Sequence, residues 1–336
     1  MSVLVTGATG FIAQHVVDKL LSHNFTVIGT ARSEAKYAPL LKEFQKKYPD
    51  GKLSFEIVPD ISTDDAFDEV LKAHPEITKV LHTASPFSFG LNKSFEEAYL
   101  HPAVNGTLNI LKATKKYAPQ VTHFVVTSSF AAVRLPAEVV FTEVHTADTW
   151  NPIEWKDVTN ENLAYVASKK LAEKAARDFV KNEKPNFSLS TVNPPFVLGP
   201  QLFDYTVSET LNTSNQYLLD IPRLKSKDSP VAQLNMLAVD VRDVAEFHVI
   251  PLLKEANRNQ RNLVVGDLFQ APVVNKIVKK HFPQYADKVL DLGEAPKEHV
   301  QYDLSAVVDP IGGYDFIDLE KSVVDTLTQY FKHYPL

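Results

Sequence analysis

Short apolar runs rich in β-branched residues alternate with stretches of helical periodicity through the first half of the chain. Runs at residues 3–6 and 25–30 each precede a stretch with apolar residues at helical spacing, at 11–22 and 34–47. The alternation predicts further strands and helices at residues 53–58, 65–73, 79–83, 95–117, 121–127, 161–182 and 188–192. Because parallel strands need a crossover connection, usually a helix, this pattern predicts a parallel sheet with helices on both faces.

The pattern loosens after Asn193-Pro194-Pro195, where two prolines end a strand. At 336 residues the chain exceeds a typical single domain. We therefore predict an α/β fold, in which a Rossmann-type doubly wound parallel sheet carries a smaller, mostly C-terminal α/β substrate domain. The predicted larger domain comprises residues 1–194, 236–266 and 305–336, and the smaller comprises 195–235 and 267–304. Segments 236–239 and 262–265 are expected to rejoin the main sheet, and a C-terminal helix at 319–333 to dock on it.

The composition excludes several classes of function. The chain has no Cys, so it has no disulfide, thiolate nucleophile or Cys-based metal site, and we predict no metal. A net charge of −6 gives no attraction for nucleic acid or an anionic membrane, so neither is expected as a partner. The apolar runs are too short to span a bilayer, and the first strand begins too early for a leader. We expect a cytoplasmic protein, and a nuclear location stays open.

A glycine-rich turn joins the first strand to the first helix, with the spacing G-x-x-G-x-x-A from Gly7 to Ala13. Gly7 permits a tight turn, and Gly10 lets backbone N–H groups approach a phosphate at the helix N-terminus. The position between strand and helix favours a dinucleotide pyrophosphate over the alternative, a simple turn. The predicted contacts are Gly7, Thr9, Gly10, Phe11 and Ile12.

The segment after the second strand indicates which dinucleotide binds. NAD sites usually place Asp or Glu here for the ribose 2′-hydroxyl, but this chain has Arg32 and Lys36, one helical turn apart. Two cations suit a 2′-phosphate, which favours NADPH/NADP⁺ as the cofactor. The alternatives are that both are ordinary solvated charges, and that Glu34 serves an NAD site.

Tyr165 and Lys169 lie four residues apart in a predicted helix, which places both on one face. A free Tyr side chain has a pKa of about 10, and a neighbouring ammonium favours the phenolate and lowers that pKa. The pair therefore predicts acid–base catalysis. A second Y-x-x-x-K sequence, from Tyr48 to Lys52, contains a Pro and a Gly and is interpreted as a turn.

A hydroxyl cluster follows the strand at 121–127 and places Ser128 and Ser129 at the carboxyl edge of the predicted sheet. Ligands of open α/β sheets bind at this edge, so a Ser here can donate a hydrogen bond to a substrate carbonyl oxygen. The alternative is that the two hydroxyls only cap the next segment.

These motifs together resemble the extended short-chain dehydrogenase/reductase family. The likeness runs from the first residues to about residue 250 and includes the glycine-rich turn, the Ser pair, Tyr165-x-x-x-Lys169 and the segments 193–200 and 239–245. Within the family the chain is most similar to yeast NADPH-dependent methylglyoxal/isovaleraldehyde reductases, through residues 80–87 and 171–176. Dihydroflavonol and cinnamoyl-CoA reductases are more distantly similar, and residues 270–304 match no part of the family pattern.

The resemblance implies NADPH-dependent reduction of aldehydes and ketones, with a small carbonyl compound as the partner molecule. By this likeness Tyr165 is the proton donor and Lys169 lowers its pKa and binds the ribose. Ser129 orients the carbonyl, with Ser128 as the alternative. Besides Tyr165 and Lys169, further cofactor contacts are implied at Asp60, Ile61, Thr83, Ala84, Pro194 and Val197. The oligomeric state, monomer or homodimer, stays open.

Three aromatic residues follow strand ends that face the predicted cleft: Phe87, Phe130 and Phe196. We hypothesise that they wall an apolar substrate pocket. The alternative is that one or more belong to the core, since Phe is usually buried.

Other polar residues have weaker functional interpretations. Asn105 is a candidate proton relay or helix-shaping residue, whereas His82, at a strand end, is interpreted as structural. Asp240, Arg242 and Asp243 at a helix start are interpreted as a structural ion-pair cluster and not as an active site.

Two other functions remain open. An epimerase or dehydratase of the same fold also uses Ser, Tyr and Lys, usually with tightly held NAD. A non-catalytic dinucleotide sensor keeps the glycine-rich turn but often loses the Tyr or the Lys, and both are present here.

Overall fold

The computed structural model describes residues 1–85, 90, 92–135 and 141–336. Within these residues the strands are β1 Ser2–Thr6, β2 Thr26–Ala31, β3 Leu53–Ile57, β4 Ile77–His82, β5 His123–Thr127, β6 Val144–His145, β7 Ser188–Asn193, β8 Phe196–Leu198, β9 Asn235–Asp240, β10 Arg261–Leu263, β11 Asp267–Gln270 and β12 Gln301–Tyr302. The α-helices are α1 Phe11–Ser22, α2 Glu34–Lys47, α3 Asp68–Ala73, α4 His101–Tyr117, α5 Glu161–Glu183, α6 Thr213–Asp220, α7 Val241–Leu253, α8 Ala271–His281, α9 Ser305–Val308 and α10 Leu319–Phe331.

The main sheet has seven strands in the order β10-β7-β5-β4-β1-β2-β3, and every pair is parallel. The chain adds β2 and β3 on one side of β1 and then crosses to add β4, β5, β7 and β10 on the other. The strand order therefore reverses between β1 and β4, and ligands of such sheets bind outside the carboxyl ends at this switch point. The predicted doubly wound parallel sheet is confirmed.

Helices cover both faces of the main sheet because successive side chains of each strand point to opposite faces. Val3 and Val5 of β1 pack in the layer that contains α1 and α7, whereas Leu4 packs in the layer that contains α3 and α4. All three side chains are fully buried. This two-sided burial explains why the strands are apolar throughout instead of alternating.

A second sheet of three strands, in the order β11-β9-β8, lies in the smaller part of the molecule. β9 pairs in parallel with β8 and antiparallel with β11, so the expectation that segment 236–239 rejoins the main sheet is wrong. The chain turns away from the main sheet after β7, and β8 then offers a free edge to β9. β10 does join the main sheet beside β7, as expected for segment 262–265.

The C-terminal helix α10 packs on the small sheet and not on the main one. Leu319, Val323 and Leu327 lie in one buried cluster with Phe269 of β11 and Val274 of α8. The expectation that this helix docks on the main sheet is therefore wrong, because its apolar stripe covers the small sheet. The boundaries of the two predicted domains stay a prediction.

The group at the N-terminus of α7 is a structural ion-pair cluster, as the sequence indicated. Asp240 caps the helix by accepting the Arg242 N–H at 2.8 Å, and it also accepts the Arg242 guanidinium and the Ser322 hydroxyl. Arg242 donates further to Asp325 of α10 at 2.7 Å. The cluster thereby ties α7 to α10.

Asp243, in the first turn of α7, is 2% exposed. Its two carboxylate oxygens accept the Tyr314 hydroxyl at 2.8 Å and the Ile317 N–H at 2.9 Å. Burial raises the pKa of this carboxyl from 3.8 to about 6 in spite of these two donors. The folded state therefore binds a proton at Asp243 more tightly than the unfolded state does.

Asp243→Asn is expected to remove a pH dependence of stability. Because the folded pKa is raised, the contribution of Asp243 to the free energy of unfolding falls as pH rises from 3.8 to about 6. A shift of about 2 pKa units corresponds to roughly 3 kcal/mol, which is lost in full above that window. Urea unfolding at about pH 4 and about pH 7 measures the difference. The exposed Asp178→Asn is expected to follow the wild type, and a wild-type pH dependence in Asp243→Asn would contradict this interpretation.

Candidate active site

The glycine-rich turn lies between the carboxyl end of β1 and the N-terminus of α1. Gly7 has φ +65°, and a Cβ on it would lie 2.8 Å from the Cα of Ala84, so only glycine fits here. The Gly10 N–H donates to the Gly7 carbonyl at 3.0 Å and closes the turn. Gly10 is the exposed N-cap residue of α1, and Thr9, Phe11 and Ile12 are half-buried beside it. The turn therefore leaves the positive end of α1 accessible to an anion.

The end of β4 is fixed to the end of β1 through Thr6. Thr83 Oγ1 donates to the Thr6 carbonyl at 2.5 Å, and Thr6 Oγ1 accepts the Ala84 N–H at 3.2 Å. Thr6 Oγ1 also lies 2.8 Å from His82 Nδ1. Burial lowers the pKa of His82 to about 3, so its ring is neutral. His82 thus supports the backbone that brings Thr83 and Ala84 against the turn, which agrees with its structural interpretation.

The loop after β3 carries Asp60 and Ile61 along the same edge. Asn109 of α4 donates to the Ile61 carbonyl at 3.1 Å and holds the loop in place. Asp60 is exposed, and hydrogen bonds from the Ser62 hydroxyl and N–H lower its pKa, with a further contribution from the charge of Arg32. An anionic Asp60 therefore lies within the electrostatic reach of Arg32.

Arg32 and Lys36 are exposed at the carboxyl end of β2. Arg32 lies in the segment that precedes α2, and Lys36 lies in the first turn of that helix, beyond the N-cap Ser33. They are not stacked along one helix face as their spacing predicts, because α2 begins only at Glu34. Both cations nevertheless lie at the edge of the sheet that carries the turn.

Tyr165 and Ser129 join α5 to the end of β5. Their side chains share a hydrogen bond, and Ser129 Oγ also accepts the Ala131 N–H at 3.1 Å. Burial raises the pKa of Tyr165 above its ordinary value, and the hydrogen bond with Ser129 opposes this rise. Burial has the larger effect, so the net pKa of Tyr165 lies above its ordinary value, and the expectation that Lys169 lowers this pKa stays a prediction. The phenol is therefore protonated near neutral pH.

Lys169 lies one helical turn after Tyr165, and its Nζ is 5.7 Å from the centroid of the Tyr165 ring. The ammonium donates to Ser85 Oγ, beyond the end of β4, at 2.8 Å. Burial lowers the pKa of Lys169 to about 8. Sequence reasoning missed Ser85, for which the one available signal is its place just after Thr83 and Ala84.

Ser128 and Ser129 face different partners. Ser128 Oγ donates to Glu173 Oε2 at 2.5 Å, and both side chains are buried. Because Ser129 contacts Tyr165 and Ser128 does not face it, the geometry favours Ser129 as the residue that orients a carbonyl. Sequence reasoning also missed Glu173, whose only signal is its spacing, two four-residue steps beyond Tyr165.

Two of the three aromatic residues predicted to wall a substrate pocket lie in separate apolar clusters. Phe130 is 8% exposed and packs in a cluster with Leu263, whereas Phe196 packs in another cluster, on the small sheet, against Tyr217. Phe130 is buried and Phe196 is half-buried in these clusters, and contact of either ring with a substrate stays a prediction. Phe87 lies outside the described residues.

Pro194 and Val197 lie on either side of the turn from β7 to β8. The Pro194 carbonyl accepts the Phe130 N–H at 2.8 Å, and Val197 pairs with Val239 in the small sheet and is buried. Contacts of these two residues with a nicotinamide stay a prediction.

Asn105 lies on the exposed face of α4. The residues of this helix that line the cleft are Ala103 and Thr107. The geometry therefore gives no support to a proton relay at Asn105.

The residues at this edge fit a dinucleotide. The turn at Gly7 is a cradle that a Cβ would fill, the N-terminus of α1 lies beside it, and Lys169 lines the same edge further along. Arg32 and Lys36 provide positive charge at the end where a 2′-phosphate would lie. Across the described ranges, no helix combines the length and the apolar character that crossing a bilayer requires.

Known proteins share this arrangement over nearly the whole chain. The family model described as "NAD dependent epimerase/dehydratase family" matches residues 3–266. The chain is 40% identical over 338 residues to a putative NADPH-dependent methylglyoxal reductase of Candida albicans, with 98% of each protein covered. It is 39% identical over 347 residues to the NADPH-dependent methylglyoxal reductase of Saccharomyces cerevisiae, covering 99% of this chain and 98% of that one. A crystal structure of yeast methylglyoxal/isovaleraldehyde reductase complexed with NADPH superposes with a TM-score of 0.92 at 38% identity, covering 99% and 98% of the two chains.

Gly7→Ala is expected to weaken NADPH binding by at least about 10-fold, because the methyl group would meet the Ala84 backbone and open the turn. Fluorescence titration of the purified protein with NADPH measures the affinity.

Gly293→Ala is the matched control. Gly293 also has a positive φ, of +80°, but nothing lies within 4 Å of the added Cβ. This variant is expected to keep wild-type affinity, so an equal loss in both variants would show that general strain, and not the cradle, lowers binding.

Proposed function

Since the chain belongs to the NAD dependent epimerase/dehydratase family, we propose that it reduces small aldehydes and ketones, methylglyoxal among them, with NADPH. The resemblance to extended short-chain dehydrogenases/reductases is confirmed by this match and by the two methylglyoxal reductases of similar length. The observation that carries the proposal is the hydrogen bond between Tyr165 and Ser129, with Lys169 Nζ 5.7 Å from the centroid of the Tyr165 ring. Lys169 also donates to Ser85, whose neighbour Ala84 lies against Gly7 of the glycine-rich turn.

We place the cofactor contacts along the carboxyl edge of the main sheet. The backbone N–H groups from Gly7 to Ile12 hold the pyrophosphate, and Arg32 with Lys36 holds the 2′-phosphate. Asp60 and Ile61 flank the adenine, and Thr83 and Ala84 line the cleft. Pro194 and Val197 contact the nicotinamide end, and Lys169 binds the ribose next to it.

Tyr165 supplies the proton in the reaction. NADPH, when bound, supplies a hydride to the carbonyl carbon. The C=O π bond opens as its oxygen takes the proton from the Tyr165 hydroxyl, so one C–H and one O–H bond form. Burial keeps this phenol protonated, which the reduction direction requires, and Ser129 holds the carbonyl oxygen within reach.

Lys169 acts by charge and by position. Its ammonium lies near the Tyr165 ring and favours the phenolate that remains after proton transfer. A pKa of about 8 leaves Lys169 mostly charged at neutral pH. The contact with Ser85 holds the ammonium at the mouth of the cleft.

We place the protein in the cytoplasm, with the nucleus as the alternative, and the absence of Cys from the chain is compatible with a reducing compartment. Its partner is the small carbonyl compound, and monomer and homodimer are both retained as oligomeric states.

The reductase and an epimerase of the same fold differ in how they hold the cofactor. Purified protein is expected to oxidise added NADPH when methylglyoxal or a simple ketone is present. Tightly held NAD that does not exchange, with no such turnover, would favour the epimerase instead.

Tyr165→Phe is expected to lower kcat by at least about 100-fold and leave NADPH binding close to wild type, since only the proton donor is lost. Steady-state kinetics and NADPH titration measure the two effects. The control is Tyr48→Phe in the other Y-x-x-x-K sequence, where the phenol donates to Asp18 of α1 at 3.0 Å, remote from the cleft. Wild-type turnover by Tyr165→Phe would remove this residue from the mechanism.

Arg32→Ala is expected to raise KM for NADPH by roughly 10- to 100-fold and to change KM for NADH little, because only NADPH carries the 2′-phosphate. Lys42→Ala removes an exposed positive charge from α2 and is expected to change neither. Equal effects of Arg32→Ala on both cofactors would show that Arg32 does not contact the phosphate.

A further inference from the structure

Glu173 is a fully buried carboxylate on α5 that accepts hydrogen bonds from five donors. Its Oε2 accepts two of them and its Oε1 accepts three. The donors are Ser128 Oγ at 2.5 Å and Asn193 Nδ2 at 2.7 Å on Oε2, and Arg261 Nε at 2.8 Å, Arg177 Nε at 3.1 Å and Thr191 Oγ1 at 3.3 Å on Oε1. One side chain on α5 therefore contacts β7, β10 and the end of β5.

The Oε2 side of Glu173 is directed at the strand end that carries Ser129. Asn193 Nδ2, which donates to Glu173, also donates to the Ser129 carbonyl at 3.1 Å. Ser128, the other donor to Oε2, immediately precedes Ser129 in the chain. Both hydrogen bonds to this oxygen thus constrain the backbone on either side of the Ser129 Cα.

On α5, the side chains of Tyr165, Lys169 and Glu173 follow one another at four-residue spacing and form a stripe along the helix. Each step of four residues turns the helix by about 40° beyond a full revolution, so the stripe rotates from the mouth of the cleft into the interior. Glu173 lines the inner end of the cleft that Lys169 also lines. A shift of α5 at Glu173 would therefore move Tyr165 relative to Ser129.

Stability alone does not account for a carboxylate at this position. Removing a carboxylate and its guanidinium partners from water is costly, and apolar replacements of buried ion pairs are often as stable. A fully satisfied polar network instead fixes a single geometry. Arg261 extends the network by donating to the Ala132 carbonyl at 2.9 Å, three residues after Ser129.

We infer that Glu173 is a positioning residue, which fixes the α5 helix carrying Tyr165 and Lys169 against the strand end carrying Ser129. The inference rests on the proposed reductase function for its kinetic consequence and on geometry alone for its structural one. Both oxygens of Glu173 accept hydrogen bonds from the protein itself, and the residue acts through Ser128 and Asn193 on the hydrogen bond between Ser129 and Tyr165.

Glu173→Gln tests the inference, because the amide keeps the size of the side chain but cannot accept all five hydrogen bonds. In the NADPH-bound protein we expect kcat for methylglyoxal reduction to fall roughly 10- to 100-fold, as for a misplacement of reacting groups by about 1 Å. KM for NADPH is expected to stay within about two-fold, since the turn is untouched. The ¹³Cζ resonance of Tyr165, assigned with Tyr165→Phe, is expected to shift because it reports the hydrogen bond with Ser129.

Two further variants keep the test decisive. Ser128→Ala removes one donor to Glu173 and leaves four, so we expect it to disturb folding less than Glu173→Gln does. A smaller fall in kcat, with the same direction of resonance shift, is expected. Asp243→Asn makes the same change from a buried carboxylate to an amide on α7, away from the cleft. It is expected to leave kcat and the Tyr165 resonance unchanged.

The outcomes separate this inference from the proposed function. Wild-type protein without NADPH-dependent turnover would overturn the proposed function, and the Tyr165 resonance would then still test the role of Glu173. Wild-type kcat and an unshifted resonance in folded Glu173→Gln would overturn the inference, as would the same result in Ser128→Ala if Glu173→Gln does not fold. An equal loss of activity in Asp243→Asn would also overturn it, by showing a general effect of buried carboxylates on stability.

Discussion

The close approach of Gly7 to Ala84 holds together the two strand ends on which the cleft depends. β1 and β4 are neighbours in the sheet, but the chain leaves them in opposite directions, so their carboxyl ends border an open crevice. With no Cβ at Gly7, the turn comes against the Ala84 backbone, and Thr6 links the two ends by hydrogen bonds. The N-terminus of α1 and the backbone after β4 therefore lie side by side.

The other wall of the cleft is α5, and three of its side chains differ in charge and in burial along the helix. Tyr165 at the mouth is a neutral phenol in contact with Ser129, Lys169 is an ammonium with a pKa lowered to about 8, and Glu173 is a buried anion held by two guanidinium groups. The phenol, the ammonium and the carboxylate thus lie on one rigid element. A helix is well suited to this because its packing fixes the three side chains together.

Much of the fold was predictable because local periodicity determines it. The bounds of α1 and α2 agree with their apolar spacing, and the two-sided burial of the strands made a parallel sheet the expected result. The placement of β9 was not predictable, since an apolar run does not specify which of two sheet edges it joins. The same limit applies to α10, whose apolar stripe fits either sheet.

The candidate site was predictable where a residue type and its spacing carry the chemistry, as at Gly7, Tyr165 and Lys169. The site was not predictable where burial in the folded protein determines the pKa or the contacts of a side chain. The pKa of Tyr165 rises because the ring is buried, which outweighs the effect expected from a nearby ammonium. Phe130 is drawn into a cluster that only the tertiary structure creates, and the role of Glu173 depends on donors from distant parts of the chain.

A crystal structure of the protein with NADP⁺ and a product alcohol tests the central claim most directly. The pyrophosphate is expected over Gly7 and Gly10, with the alcohol oxygen at about 3 Å from both the Tyr165 hydroxyl and Ser129 Oγ. An alcohol bound elsewhere, or an oxygen beyond hydrogen-bond distance of Tyr165 while the cofactor is in place, would contradict the assignment of Tyr165 as the proton donor.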